Sequence, residues 1–92
     1  MNKQRRKALD EVHTNLLGIT LKLEDIKSDL DAILGEEQEA RDNIPENMQS
    51  SERYERMDEI CGTLEDGEWS IDDAIETIEN LMGELWDIIE EN

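Results

Sequence analysis

One apolar seam, written twice, constrains this chain more than any other feature. Leu9, Val12, Leu16, Ile19, Leu23, Ile26, Leu30 and Ile33 follow one another at alternating steps of three and four residues. Met57, Cys61, Leu64, Ile71, Ile75, Ile78, Met82, Leu85 and Ile89 repeat the rhythm, with Glu68 in the slot between Leu64 and Ile71. Such spacing keeps one side of an α-helix apolar and is the pattern of a coiled coil. Composition alone points elsewhere. There are 26 acids against 9 bases, a net charge of −17 over 92 residues, and low hydrophobicity with high net charge is the signature of disorder. Apolar residues in helical phase can bury a stripe that scattered ones cannot, so the expectation is an all-α fold.

The chain is short enough for one domain at most. A first helix is expected over about 2–42, carried past Gly35 by strong helix formers from Glu36 to Arg41. Asn43-Ile44-Pro45-Glu46 stops it, because proline bars the α region to the residue before it. Residues 43–50 form the connection, with a short turn over Pro45–Gln49. Ser50 or Ser51 caps a second helix over about 51–91, and Glu52 and Glu55 suit its positive end. A break at 67–70 would give a three-helix bundle, since Gly67 could end a helix and Ser70 with Asp73 could start another. The seam keeps its register from Leu64 to Ile71, which favours one helix kinked at Gly67. The main expectation is a long antiparallel helical hairpin.

A bare hairpin has little core. A second apolar column, Ile60, Ala74, Leu81 and Ile88, lies one place before the seam of the second helix, and Leu17, Leu21 and Leu34 lie outside the seam of the first. A stripe wider than two columns calls for more than one neighbour, so two hairpins are expected to pair as a homodimeric four-helix bundle. Its core and dimer positions are Ile60, Cys61, Ile71, Ala74, Ile75, Ile78, Leu81, Met82, Leu85 and Ile88. Trp86 sits at the core or rim. Register through Glu68 predicts a loosened seam there, with Glu68 reaching water or Lys27 across the hairpin.

Charge is uneven along the chain. Residues 1–22 hold five bases and two acids, a balance of +3; residues 23–92 hold 24 acids and four bases, a balance of −20. A surface this negative repels nucleic acid and anionic membrane and attracts a basic protein. The basic run Lys3–Lys7 is expected either to lie beside Asp87, Glu90 and Glu91 or to form a phosphate- or lipid-binding tail. No stretch approaches the roughly 20 apolar residues that span a bilayer. The basic start lacks the apolar stretch of a signal peptide, and the lone Cys61 fits a reducing compartment. The expected location is the cytoplasm of a host cell.

Catalytic chemistry is thinly supplied, and the chain is not expected to be an enzyme. His13 is the only histidine and reads as a surface residue beside Asp10; a bundle metal site needs Glu-x-x-His on two helices. Leu64-Glu65-Asp66-Gly67 lacks the acid that opens a calcium loop, because Gly62 stands in that place. No phosphate loop, zinc spacing or nucleophile–base pair occurs. No metal and no cofactor is expected. Cys61, on the seam, reads as a buried small hydrophobe.

Trp69 is the more informative residue. Its phase puts it on the outer face among Glu65, Asp66, Glu68, Asp72, Asp73 and Glu76, either as an anchor for a partner bearing Arg or Lys or as a local staple at the Gly67 kink. The start Met1-Asn2-Lys3-Gln4-Arg5-Arg6-Lys7, the run Glu37-Gln38-Glu39-Ala40 and the segment from Asn43 to Arg53 resemble small acidic proteins encoded by phages and prophages of Gram-positive bacteria. The likeness covers most of the chain, is densest over 36–57, and departs at Gly67–Trp69. It implies a mobile-element setting and transfers no catalytic residue. Proteins of that kind often inhibit by imitating nucleic acid. A side-by-side dimer about 60 Å long would carry twice the chain's charge, about one per 1.8 Å, against about one per 1.7 Å in B-DNA. The expected function is an anti-CRISPR or anti-restriction type inhibitor binding the basic surface of a defence protein such as a nuclease. The alternative is a structural or oligomerisation module with no inhibitory role.

Overall fold

The computed structural model describes residues 1–91. Helix α1 runs Lys3–Asp42, a 3-10 turn occupies Glu46–Met48, and helix α2 runs Glu52–Glu90. Asn2 caps α1, its side-chain oxygen accepting from the Arg5 amide at 2.8 Å. Ser51 caps α2, its hydroxyl accepting from the Tyr54 amide at 3.3 Å, with Glu52 and Glu55 in the first turn against the positive helix end. Each cap satisfies an amide that the helix itself leaves free. Pro45, at φ −55° and ψ 145°, supplies the extended residue that ends one direction and begins the other. The two helices pack antiparallel as a rod of 69 × 15 × 14 Å.

Helix α2 passes through Gly67 without a break, and no described residue has a positive φ. The three-helix alternative is thereby set aside. Ser70 is interior to the helix rather than a cap. Gly67 has a packing role instead: a Cβ there would lie 3.3 Å from Leu30 Cδ2, so glycine lets the two helices approach closely at that level.

The register is constant along the rod. His13 faces Trp86, Lys27 faces Asp72 and Arg41 faces Asp58. On α2 Met57, Cys61, Leu64, Glu68, Ile71, Ile75, Ile78, Met82, Leu85 and Ile89 are buried or half-buried, the columns read from sequence, and Tyr54, Ile60, Gly67 and Ile88 are half-buried beside them. On α1 one column differs. Leu9, Leu16, Leu23 and Leu30 face α2, but their companions are His13, Thr20, Lys27 and Leu34. Val12, Ile19, Ile26 and Ile33, expected in the seam, are 43–54% exposed.

The polar residues that displace them are each partnered. Thr20 Oγ donates to the Leu17 carbonyl at 2.8 Å, Lys27 Nζ meets the Asp72 carboxylate at 2.8 Å, and the His13 ring lies 5.3 Å from that of Trp86. A partnered polar group can sit at a half-buried seam where an unpartnered one is costly. The leucine column stays central, so α1 is rolled about its own axis by half the width of the seam.

This roll gives the two-helix ribbon two unlike broad faces. Residues one step apart in sequence are about 100° apart around a helix, so the row Val12, Ile19, Ile26 and Ile33 lies on the side of the leucines opposite Lys27. Gly67, which meets Leu30, marks the same face on α2, in line with Ile60, Ala74, Leu81 and Ile88. That face is apolar from end to end. The other carries the polar crossings to Asp58, Asp72 and Trp86.

Candidate functional site

The second face is acidic. Glu24, Lys27, Asp72, Ile75, Glu76 and Glu79 line an open groove of about 450 Å³ between the helices. Leu17, Thr20, Leu21 and Met82 continue it toward the open end of the hairpin. Carboxylates form its walls and seam residues its floor. Two crossings fix it: Gln38 Nε2 donates to Glu65 at 3.1 Å, and Arg41 clamps Asp42 at 3.1 Å and Asp58 at 2.9 Å. The hydrogen bond to Asp72 raises the Lys27 ammonium above its ordinary value, and that to Asp42 does the same for Arg41.

Of the residues singled out from sequence, Glu65, Trp69, Asp72 and Glu76 share one stripe of α2 bordering this groove, since steps of three and four stay on one side of a helix. Asp66 and Asp73 lie one row further round, in solvent. Trp69 is 70% exposed. It stands on a continuous helix. Glu24, Asp31 and Glu79 also belong to this face and were not singled out; the interhelical register that places them is set by contacts far apart in sequence.

Glu68 is not a surface ligand. It is half-buried in the seam, with Oε1 enclosed and unpaired. Lys27, its expected partner, is taken by Asp72. Burial first, then hydrogen bonding with Asp31 and the charges of Asp31 and Asp72, push the Glu68 carboxyl above the usual range; Lys27 opposes them. A carboxyl with a raised folded-state pKa binds more protons folded than unfolded. Stability is therefore lost as pH rises from the ordinary glutamate range through the raised value. Glu68→Gln should raise Tm near pH 7 and leave it nearly unchanged near pH 4, where the parent residue is already protonated. Thermal melts of both proteins across that interval check this; an equal shift at both ends would sink it.

Two other expectations are corrected. His13 does not sit at the surface beside Asp10; it is half-buried against Trp86. Among the described residues no ion pair joins Lys3–Lys7 to Asp87, Glu90 or Glu91, and Arg6 instead folds back to donate to the Met1 carbonyl at 3.3 Å. Ion pairing of long exposed side chains gains little over hydration. Cys61 is buried and burial raises its thiol pKa, which keeps it protonated. No described helix is long and apolar enough to cross a membrane. Among the described residues no three His, Cys, Asp or Glu side chains are grouped to hold a metal ion.

Compared with known proteins, the chain matches no family model, no curated sequence and no solved structure. Its chemistry has to be read from its own surface.

Proposed function

We propose that this chain is a binding protein of a phage or prophage: an acidic homodimeric rod that inhibits a bacterial defence protein by occupying its basic, nucleic-acid-handling surface in the host cytoplasm. The observation that carries the reading is Trp69. A tryptophan 70% exposed on a rigid helix, with Glu65, Asp72 and Glu76 on its stripe, has the chemistry to stack on arginine while the carboxylates hold the surrounding cations. Charge density supports it. Two chains of −17 side by side along 69 Å carry about one charge per 2 Å, close to the roughly one per 1.7 Å of B-DNA. Long-range attraction of this kind speeds encounter and selects basic partners.

Capture from a bacterial lysate on the immobilised protein tests the reading. A protein that handles nucleic acid should be held at low salt, and released both at high salt and by added duplex DNA. Trp69→Ala should weaken that complex by about 30-fold, the scale of a ~2 kcal/mol hot spot. A partner whose retention ignores salt and Trp69 would favour the assembly-module alternative, where apolar contact dominates.

A further inference from the structure

We infer that the apolar face is the seat of a second copy of this chain, the two hairpins stacking broad face to broad face with their loops at opposite ends. This gives a surface and an orientation to the dimer in the function proposed above, and rests on that part of it alone. The row Val12, Ile19, Ile26 and Ile33 on α1 runs beside Ile60 and Leu81 on α2, with Leu81 43% exposed. Its border on α2 is uncharged over Thr63, Ser70 and Thr77 and charged only beyond them, at Arg56 and Glu84. On α1 the border runs Ala8, Asn15, Lys22, Asp29 and Glu36, so the rows themselves carry no carboxylate between Val12 and Ile33 or between Ile60 and Ile88 on a chain of −17. Two copies so acidic can approach closely only where neither presents carboxylates.

Area points the same way. The chain exposes 6967 Å², against about 5,500 Å² for a compact monomer of its 10.7 kDa. The excess of about 1,500 Å² exceeds the ~800 Å² each partner gives up in a standard interface. A coiled-coil hairpin uses two columns per helix, yet α1 carries a third apolar column at heptad spacing. A third column is what a helix with two neighbours requires.

Charge sets the orientation. The loop half, residues 24–70, holds 16 acids and four bases, a balance of −12; residues 1–23 and 71–92 hold 10 acids and five bases, a balance of −5. Loops at the same end would place the two −12 halves together. Loops at opposite ends set each −12 half against a −5 half. The acidic faces and both copies of Trp69 remain on the outside.

Sedimentation equilibrium on the full chain should give twice the 10.7 kDa mass, and Tm should rise with protein concentration. Ile26→Glu with Leu81→Glu, both at exposed positions, should abolish the dimer, read as a one-chain mass or as a loss of helical signal that tracks it. Spin labels at Gln49→Cys in a Cys61→Ser background should lie near the rod length of 69 Å apart. A one-chain mass for the unaltered protein, an assembly larger than two, a double variant that stays dimeric, or labels no further apart than the bundle is wide would each overturn the proposal. The two readings fail separately: salt-sensitive, Trp69-dependent capture by a monomer removes the dimer and leaves the acidic face intact.

Discussion

Leu34→Ala should lower stability by about 2–5 kcal/mol at every protein concentration, the range for emptying a buried leucine site. Leu34 is 5% exposed and closes the seam near the level of Leu64, whereas its neighbour Ile33 is 54% exposed on the apolar face. Ile33→Ala should therefore cost little when the chain is dilute, and its cost should grow with concentration as the second copy covers that face. Leu21→Ala, on the opposite side of α1, should stay within about 0.5 kcal/mol throughout. For a chain of this size each kcal/mol moves Tm by about 4–8 °C, so melts at two concentrations separate the three variants. If Ile33→Ala were as costly as Leu34→Ala in dilute solution, α1 would be rolled the other way and the apolar face would not exist.

That roll is where sequence and structure part. On α2 the strongest apolar residues fill the two seam columns, the third column of Ile60, Ala74, Leu81 and Ile88 is interrupted by Gly67, and acids dominate the far side, so its phase could be read directly. On α1 the leucine column has isoleucines on one side and His13, Thr20, Lys27 and Leu34 on the other; hydrophobicity alone picks the isoleucines. The structure picks the other column because its polar members are partnered, His13 and Lys27 across the hairpin and Thr20 by the Leu17 carbonyl of its own helix. A signal for this was present. His13, Lys27 and Arg41 are two heptads apart, and so, in reverse order, are Trp86, Asp72 and Asp58. An antiparallel match of the two series fixes both register and roll.

The helical hairpin itself was legible, because seam, proline stop and serine cap agree locally. The exposure of Trp69 was legible too, since the angle between it and the seam is set within one helix. The acidic groove was not. Glu24 and Asp31 join Asp72 and Glu79 only through the interhelical register, and of the two partners expected for Glu68, water and Lys27, the second is held by Asp72.

Replacing Gly18, Gly35, Gly62 and Gly83 together by alanine should stabilise the chain by about 4 kcal/mol, the largest gain open to it. All four lie inside α1 or α2, and a Cβ at any of them meets nothing within 4 Å. Glycine in an exposed helix interior costs about 1 kcal/mol relative to alanine, chiefly through the freedom it has in the unfolded chain. Gly18 is nearly level with Gly83 and Gly35 with Gly62, but each pair is split between the two helices and no Cβ has a neighbour to share, so their effects should add. None falls on the apolar face, so dimer mass should be unchanged. Gly62 and Gly83 share the column of Trp69 at heptad spacing, so salt-sensitive capture is compared only for the Gly18→Ala and Gly35→Ala variants, where it should be unchanged. Gly67→Ala should gain less than any of the four, because its Cβ presses on Leu30 Cδ2 at 3.3 Å and the leucine must give way. Denaturant titrations of the five single variants and the quadruple one check this. A quadruple variant no more stable than the parent would mean that the glycines are not free helix positions and that some surface of the rod, copy or partner, closes over them.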